Sequence, residues 1–134
     1  MSIEDNKALV RRCIESLNKP DWADYMGQFW AKPPTEEDIK QHAEFRAAFA
    51  GYHYEINEMI AEGDKVVVGG TVSATHVAEF PYAELKGIPA TGKKVEWDEV
   101  QLYIIADGKI ADFMLMVDGV SRLQQLGVLP NNEP

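Results

Sequence analysis

Apolar residues recur along this chain with two different periods, and the change near residue 50 divides it. In the first part Leu9, Val10, Cys13, Ile14 and Leu17 fall at helical spacing behind Ser2 and Asp5, a capping-box pair. This predicts a helix over about residues 3 to 18, stopped by Asn18-Lys19-Pro20. Trp22, Tyr25, Met26, Phe29 and Trp30 then repeat at i, i+3, i+4, i+7 and i+8, which predicts a second helix from Asp21 to the break at Lys32-Pro33-Pro34. Thr35 and Asp38 form another capping box. They open a third helix to about Phe49, with Ile39, His42, Ala43, Phe45, Ala47 and Phe49 as its inward residues.

From residue 52 the pattern is that of strands. Residues 52–62 alternate loosely and end at Gly63-Asp64. Residues 65–80 are rich in valine, threonine and small residues, as a strand requires. A loop with two prolines and two glycines (81–92) leads to strand 93–106, and Asp107-Gly108 is a two-residue hairpin turn into strand 109–117. Asp118 precedes a short helix ended by Gly127, and Asn131 to Pro134 read as a frayed end. Helices followed by strands with short turns predict an α+β fold, in which N-terminal helices pack on one face of a four-stranded antiparallel sheet. The length of 134 residues fits a single domain, 1–134.

Pairing outward from Asp107-Gly108 without interruption places Val100, Leu102 and Ile104 on one face with Ala111, Phe113, Leu115 and Val117. This continuously apolar face is expected to meet the helices, burying Phe113 and Leu115. The opposite face would carry Trp97, Glu99, Gln101, Tyr103, Asp112, Met114, Met116 and Asp118. It is too apolar for solvent and too charged for a core, so a homodimer interface is expected there. On the long strand Val66, Val68, Gly70, Val72, Ala74 and His76 share the inward parity, and Asp98 takes it on the next strand. Two ionisable groups on an apolar face mark a candidate pocket. The structural alternatives are a core histidine satisfied by backbone and a solvated carboxylate at a strand start.

Charge and composition narrow the partners. A net charge of −9 argues against nucleic acid and anionic membranes, and no apolar run reaches the length of a membrane span. The lone cysteine, Cys13, excludes an internal disulfide and reads as a buried residue of a reducing compartment; with no apolar leader at the N-terminus, a cytoplasmic protein is expected. His42, His53 and His76 lack metal-ligand spacing, so no metal is expected. Gly69-Gly70 lies inside a strand pattern and reads as a bend there, not as a phosphate loop.

Six segments in order resemble one family: Asp5-Asn6-Lys7-Ala8-Leu9-Val10-Arg11-Arg12, IAEGDKVVV (60–68), THVAEF (75–80), GIPATGKKV (87–95), DGKI (107–110) and LQQLG (123–127). Together they are similar to the SnoaL-like polyketide cyclases of the nuclear transport factor two-like superfamily. The resemblance implies a curved, cone-like sheet with a ligand cavity on its concave side, a frequent dimer, and ring closure by an intramolecular aldol reaction without metal or cofactor. That chemistry needs a carboxylate, with a histidine or tyrosine partner, to move a proton next to a carbonyl. The chain departs from the family pattern in the last strand, which reads Asp112-Phe113-Met114-Leu115; if the family's carboxylate lies mid-strand, Leu115 occupies its place. It departs also at Ile104, where a polar residue is common, and at Gly70, where tryptophan is common. If the acid-base carboxylate lies at the strand end, Asp118 matches it; otherwise Asp118 serves as the N-cap of the following helix.

The expected ligand is therefore a small apolar or carbonyl-bearing molecule. His76, Asp98 and Asp118 are the candidate acid-base groups, and Phe29, Trp30, Tyr54, Phe113 and Leu115 the candidate cavity lining. An acid-base lyase or isomerase is one reading; a non-catalytic binding or dimeric scaffold protein of the same fold is the alternative.

Overall fold

The computed structural model describes residues 2–130; the expected frayed end at 131–134 lies outside them. Helix α1 (Ile3–Leu17) opens with the anticipated capping box, in which the Ser2 hydroxyl accepts the Asp5 backbone N–H and the Asp5 carboxylate accepts that of Ser2. Leu9, Val10, Cys13 and Ile14 are buried along one stripe. Beyond its end, Asn18 exchanges two hydrogen bonds with the backbone of Tyr54, at 2.9 and 2.8 Å, and so fixes the helix end to the first strand. Helix α2 (Glu36–Ala48), capped by Thr35 and Asp38, runs directly into strand β1 (Phe49–Glu62).

The second expected helix is not formed. Residues 22–24 make a single 3-10 turn, and Trp30 instead forms a parallel bridge with Ile110. The Ile110 N–H donates to the Phe29 carbonyl and the Ala31 N–H to the Ile110 carbonyl. Apolar residues at helical spacing sit here on irregular backbone, because tertiary pairing with the last hairpin satisfies its polar groups.

Strands β1, β2 (Lys65–His76), β3 (Lys94–Ala106) and β4 (Lys109–Val117) form an antiparallel sheet in chain order, and helix α3 (Gly119–Gln125) follows. The sheet with its helices is an α+β fold. Val66, Val68, Val72, Ala74 and His76 are buried on β2, as the pattern predicted. Among the described residues, no helix is long and apolar enough to cross a membrane.

On β3 the expected faces are reversed. Trp97, Glu99, Gln101, Tyr103 and Ile105 are buried, while Val100 is 50% exposed. Pairing with β2 sets the buried side, with Tyr103 opposite Val66 and Trp97 opposite Val72, and a bulge in the last hairpin changes which residues of β4 join it. Asp107 and Gly108, both at positive φ (51° and 75°), make the turn, and Ala106 and Ile105 pair with Lys109 and Ile110 as expected. The register then slips by one residue: Ile104 faces Asp112, leaving Ala111 unpaired, and Tyr103 faces Phe113. One extra residue moves every later partner to the other face. Phe113, Leu115 and Val117 do point to the concave side, opposite Tyr103, Gln101 and Glu99. They are not buried against helices, however: Phe113 is 37% and Leu115 45% exposed.

At Gly70 a Cβ would collide with the Tyr54 ring and the Glu55 carbonyl. The tyrosine thus takes the space over the glycine that a side chain on β2 would need. Gly70→Ala should cost about 1–3 kcal/mol by overpacking, read as a lower urea midpoint with an unchanged slope.

Candidate functional site

The concave face of β3 carries a run of polar side chains two residues apart, which strand geometry aligns in one row. Trp97 Nε1 donates to Glu99 Oε2 at 2.9 Å, Gln101 Nε2 donates to Glu99 Oε1 at 3.3 Å, and the Tyr103 hydroxyl donates to Gln101 Oε1. All four side chains are buried. Burial raises the Glu99 carboxyl above its ordinary range; the bonds from Trp97 and Gln101 and the charge of Arg122 oppose that shift. A carboxyl so placed holds or releases a proton closer to neutral pH than a surface glutamate does.

Tyrosines surround it. Burial, aided by the nearby Glu99 charge, pushes the Tyr54 phenol up to about 12. Its hydroxyl is buried and has no hydrogen-bond partner in the protein. Tyr103 is raised well above the ordinary phenol value, chiefly by burial. A neutral phenol next to a carboxyl can donate a hydrogen bond to a developing oxyanion while the carboxyl moves a proton. Trp30 stands edge-on to Phe113, with ring centroids 5.7 Å apart, and Phe113 lies 5.0 Å from Tyr103. With Leu115, these rings form an apolar wall continuing from the polar row, and Phe29 packs against the core beside them. At the opposite end, the buried Arg122 of α3 lies 4.7 Å over the Trp97 ring and binds Glu84 at 2.6 Å.

The sequence-predicted acid-base groups are dispersed around this row. His76 is buried at the end of β2, where its Nδ1 accepts the Thr91 backbone N–H at 3.2 Å and lies 3.0 Å from the Thr91 hydroxyl. Its ring packs on Phe49, and burial lowers its pKa. Asp98 does not share its face: it is exposed on the convex side and accepts a hydrogen bond from the Thr71 hydroxyl at 2.9 Å. The expected inward parity of Asp98 fails for the same reason as the rest of β3. Asp118 caps α3, its carboxylate accepting the Ser121 N–H at 3.0 Å. The Asp118 backbone N–H also donates to the Asp98 carbonyl, and both residues border an open groove of about 370 Å³ with Thr71, Ser121 and Gln125. The structure thus brings Asp98 and Asp118 together, away from His76.

Glu99, Gln101 and Tyr103 were placed on the outer face by the uninterrupted register, so pattern reasoning missed them. Their signal was present in the alternation itself: a polar row on β3 interleaved with Val100, Leu102 and Ile104. Among the described residues, no group of three or more His, Cys, Asp or Glu side chains is arranged to hold a metal ion.

Solved structures share this fold, a cone of the nuclear transport factor two-like type. AclR of Streptomyces galilaeus, named as a proposed hydroxylase, superposes with a TM-score of 0.81 at 27% identity, covering 96% of this chain and 100% of AclR. A SnoaL-like proposed polyketide cyclase from Jannaschia sp. CCS1 gives 0.74 at 21% identity, with 97% of each chain covered. IdmH of Streptomyces antibioticus, a proposed polyketide cyclase, gives 0.69 at 19% identity over 92% of this chain and 99% of its own. A comparison with curated protein sequences found no match. Residues 7–126 match the SnoaL-like polyketide cyclase family, and the chain belongs to it.

Proposed function

We propose that this protein is an acid-base catalyst of the lyase or isomerase kind, acting on an apolar carbonyl compound, with Glu99 as the group that moves the proton. The supporting observation is the buried Glu99 carboxyl, raised by burial and held at the centre of the polar row. In this reading Glu99 takes the proton next to the carbonyl, and the unpartnered Tyr54 hydroxyl donates to the oxyanion that forms. Phe113, Leu115 and Trp30 hold the apolar body. No metal or organic cofactor is needed for such a step. His76 acts as a wall residue that ties down the 77–93 loop, and Asp98 and Asp118 shape the convex groove and the start of α3.

The test is hydrogen exchange at the carbon next to the carbonyl, followed by proton NMR in heavy water over a panel of bicyclic ketones and β-diketones. Catalysed exchange that disappears in Glu99→Gln supports the reading. Ketones that bind without exchanging would favour the second reading, a ligand-binding protein without turnover. One observation speaks for that alternative: both Glu99 oxygens already accept hydrogen bonds.

We also infer a homodimer through the convex face. The mixed face first expected to serve does not exist, because Trp97, Gln101 and Tyr103 point inward. What lies outside is more apolar. Ile60, Val67, Leu102 and Met114 are register partners across all four strands, and Val100 and Met116, the latter 67% exposed, lie beside them. A patch of this kind marks a protein contact. A reducing, cytoplasmic setting suits the buried thiol of Cys13, pushed up to about 12 by burial.

A further inference from the structure

A second groove, of about 240 Å³, opens where the end of α1 meets β1, and its lining is unusual for so acidic a chain. The sequence holds 22 acidic and 13 basic residues, yet none of the eight residues bordering this groove is acidic and two, Lys19 and Arg46, are cationic. Arg46 is half-buried between two rings, its guanidinium 4.6 Å from the Trp22 centroid and 4.4 Å from that of Tyr52. One nitrogen, Nη2, donates to the Leu17 carbonyl at 2.6 Å, and Nε is buried with no partner. Among the described residues the ion pairs are Lys65–Asp64 and Arg122–Glu84, so Arg46 has no carboxylate. One turn earlier on α2, His42 packs against Trp22 in a T-shaped contact with ring centroids 4.9 Å apart and leaves Nε2 buried and unpartnered.

A desolvated guanidinium without a counter-ion is costly, and the cost is recovered when an anion meets it. The two rings lie against the guanidinium and one N–H is spent on the Leu17 carbonyl, so the remaining N–H groups are left for a carboxylate, whose geometry they match. The rings also supply a flat apolar flank. Packed rings link this groove to the polar row: Tyr52 meets Phe45 edge-on with centroids 6.3 Å apart, and Phe45 meets Trp97 edge-on at 6.2 Å.

We propose that this groove binds the carboxylate of a planar apolar acid, with Arg46 as its ion-pair partner, Lys19 as a supporting charge, and Trp22 and Tyr52 as flanks. The substrate class thereby narrows to apolar carbonyl compounds that carry a carboxylate. Only that narrowing rests on the proposed role of Glu99; binding at the groove does not.

The experiment is calorimetric titration of the full chain with 2-naphthoate, 2-naphthamide and inorganic phosphate. Naphthoate should bind roughly 10- to 100-fold more tightly than the amide, the range expected for a charge-assisted contact, and that preference should shrink with added salt. Arg46→Gln should abolish the preference, Arg46→Lys should keep part of it, and Lys19→Gln should weaken it. Glu99→Gln should leave it intact, so the two readings fail separately. Equal binding of acid and amide by the wild type would overturn the proposal. So would phosphate binding as tightly as naphthoate, or a folded Arg46→Gln that retains the preference. If Arg46→Gln does not fold, the wild-type acid-to-amide ratio with its salt dependence, together with Lys19→Gln, decides the matter.

Discussion

Replacing Glu99 by glutamine should lower carbonyl-adjacent exchange by roughly 100- to 10,000-fold, the usual share of a general acid-base group, while making the folded protein more stable at neutral pH. Both effects follow from one property. Burial holds the folded-state pKa of Glu99 above its ordinary value, so the folded chain binds this proton more tightly than the unfolded chain. Below the ordinary carboxyl range both states are protonated and the side chain carries no charge penalty. As pH rises through the raised folded value, the buried group must ionise and stability is lost. Glutamine removes that loss. The variant should therefore unfold at a higher urea concentration than the wild type at pH 7, and the difference should vanish under acid conditions.

Glutamine can also keep the hydrogen-bonded row. Its oxygen can accept from Trp97, and its amide can donate to Gln101 if that side chain and the Tyr103 hydroxyl reverse their direction. Wild-type activity should rise with pH as the carboxylate forms. A variant that loses activity without gaining stability at neutral pH would show that the carboxyl is not held in a raised state. That result would remove the main support for its role as the base. The capping carboxylates Asp5 and Asp38 are lowered by their backbone bonds and favour folding at higher pH, but they are common to both proteins and cancel in the difference.

The sequence showed the two capped helices, the strands and the last turn, because each has a local cause: a capping box, an alternation, a glycine at positive φ. It also showed which side chains of β2 face inward, His76 included, although the strand ends at His76 and not at Phe80. What it hid was the side of β3 that faces inward. The usual rule assigns the more apolar face to the interior, and here that face is Val100, Leu102 and Ile104. In this fold the concave side of β3 carries Glu99, Gln101 and Tyr103 instead, and the apolar residues lie outside. A single unpaired residue, Ala111, hid the reversal, since Phe113, Leu115 and Val117 were placed on the correct side of β4 but against the wrong neighbours on β3. The second helix failed for a different reason. Its apolar spacing serves a loop whose end pairs with Ile110, and that contact is long-range.

Leu102→Glu should convert a dimer to a monomer. Leu102 lies at the centre of the convex row, between Val67 on β2 and Met114 on β4, with Val100 and Met116 on the adjoining row. Isologous contact through this face brings each row against its copy. Truncations near the middle of such a contact carry most of the energy, whereas rim positions carry little. A glutamate there buries an unpaired charge in each subunit, and the penalty of several kcal/mol per ion exceeds what the remaining contacts can restore. In the monomer the same side chain stands partly in solvent on the convex face, so the fold should survive with a small change in stability. Sedimentation equilibrium should show twice the chain mass for the wild type and the chain mass, 15.0 kDa, for the variant at equal concentration. Lys65→Glu, at the polar margin of the same face, should change the mass little. A monomeric wild type at high micromolar concentration, or a variant that stays dimeric, would remove the convex face as the interface and leave its apolar row without a partner.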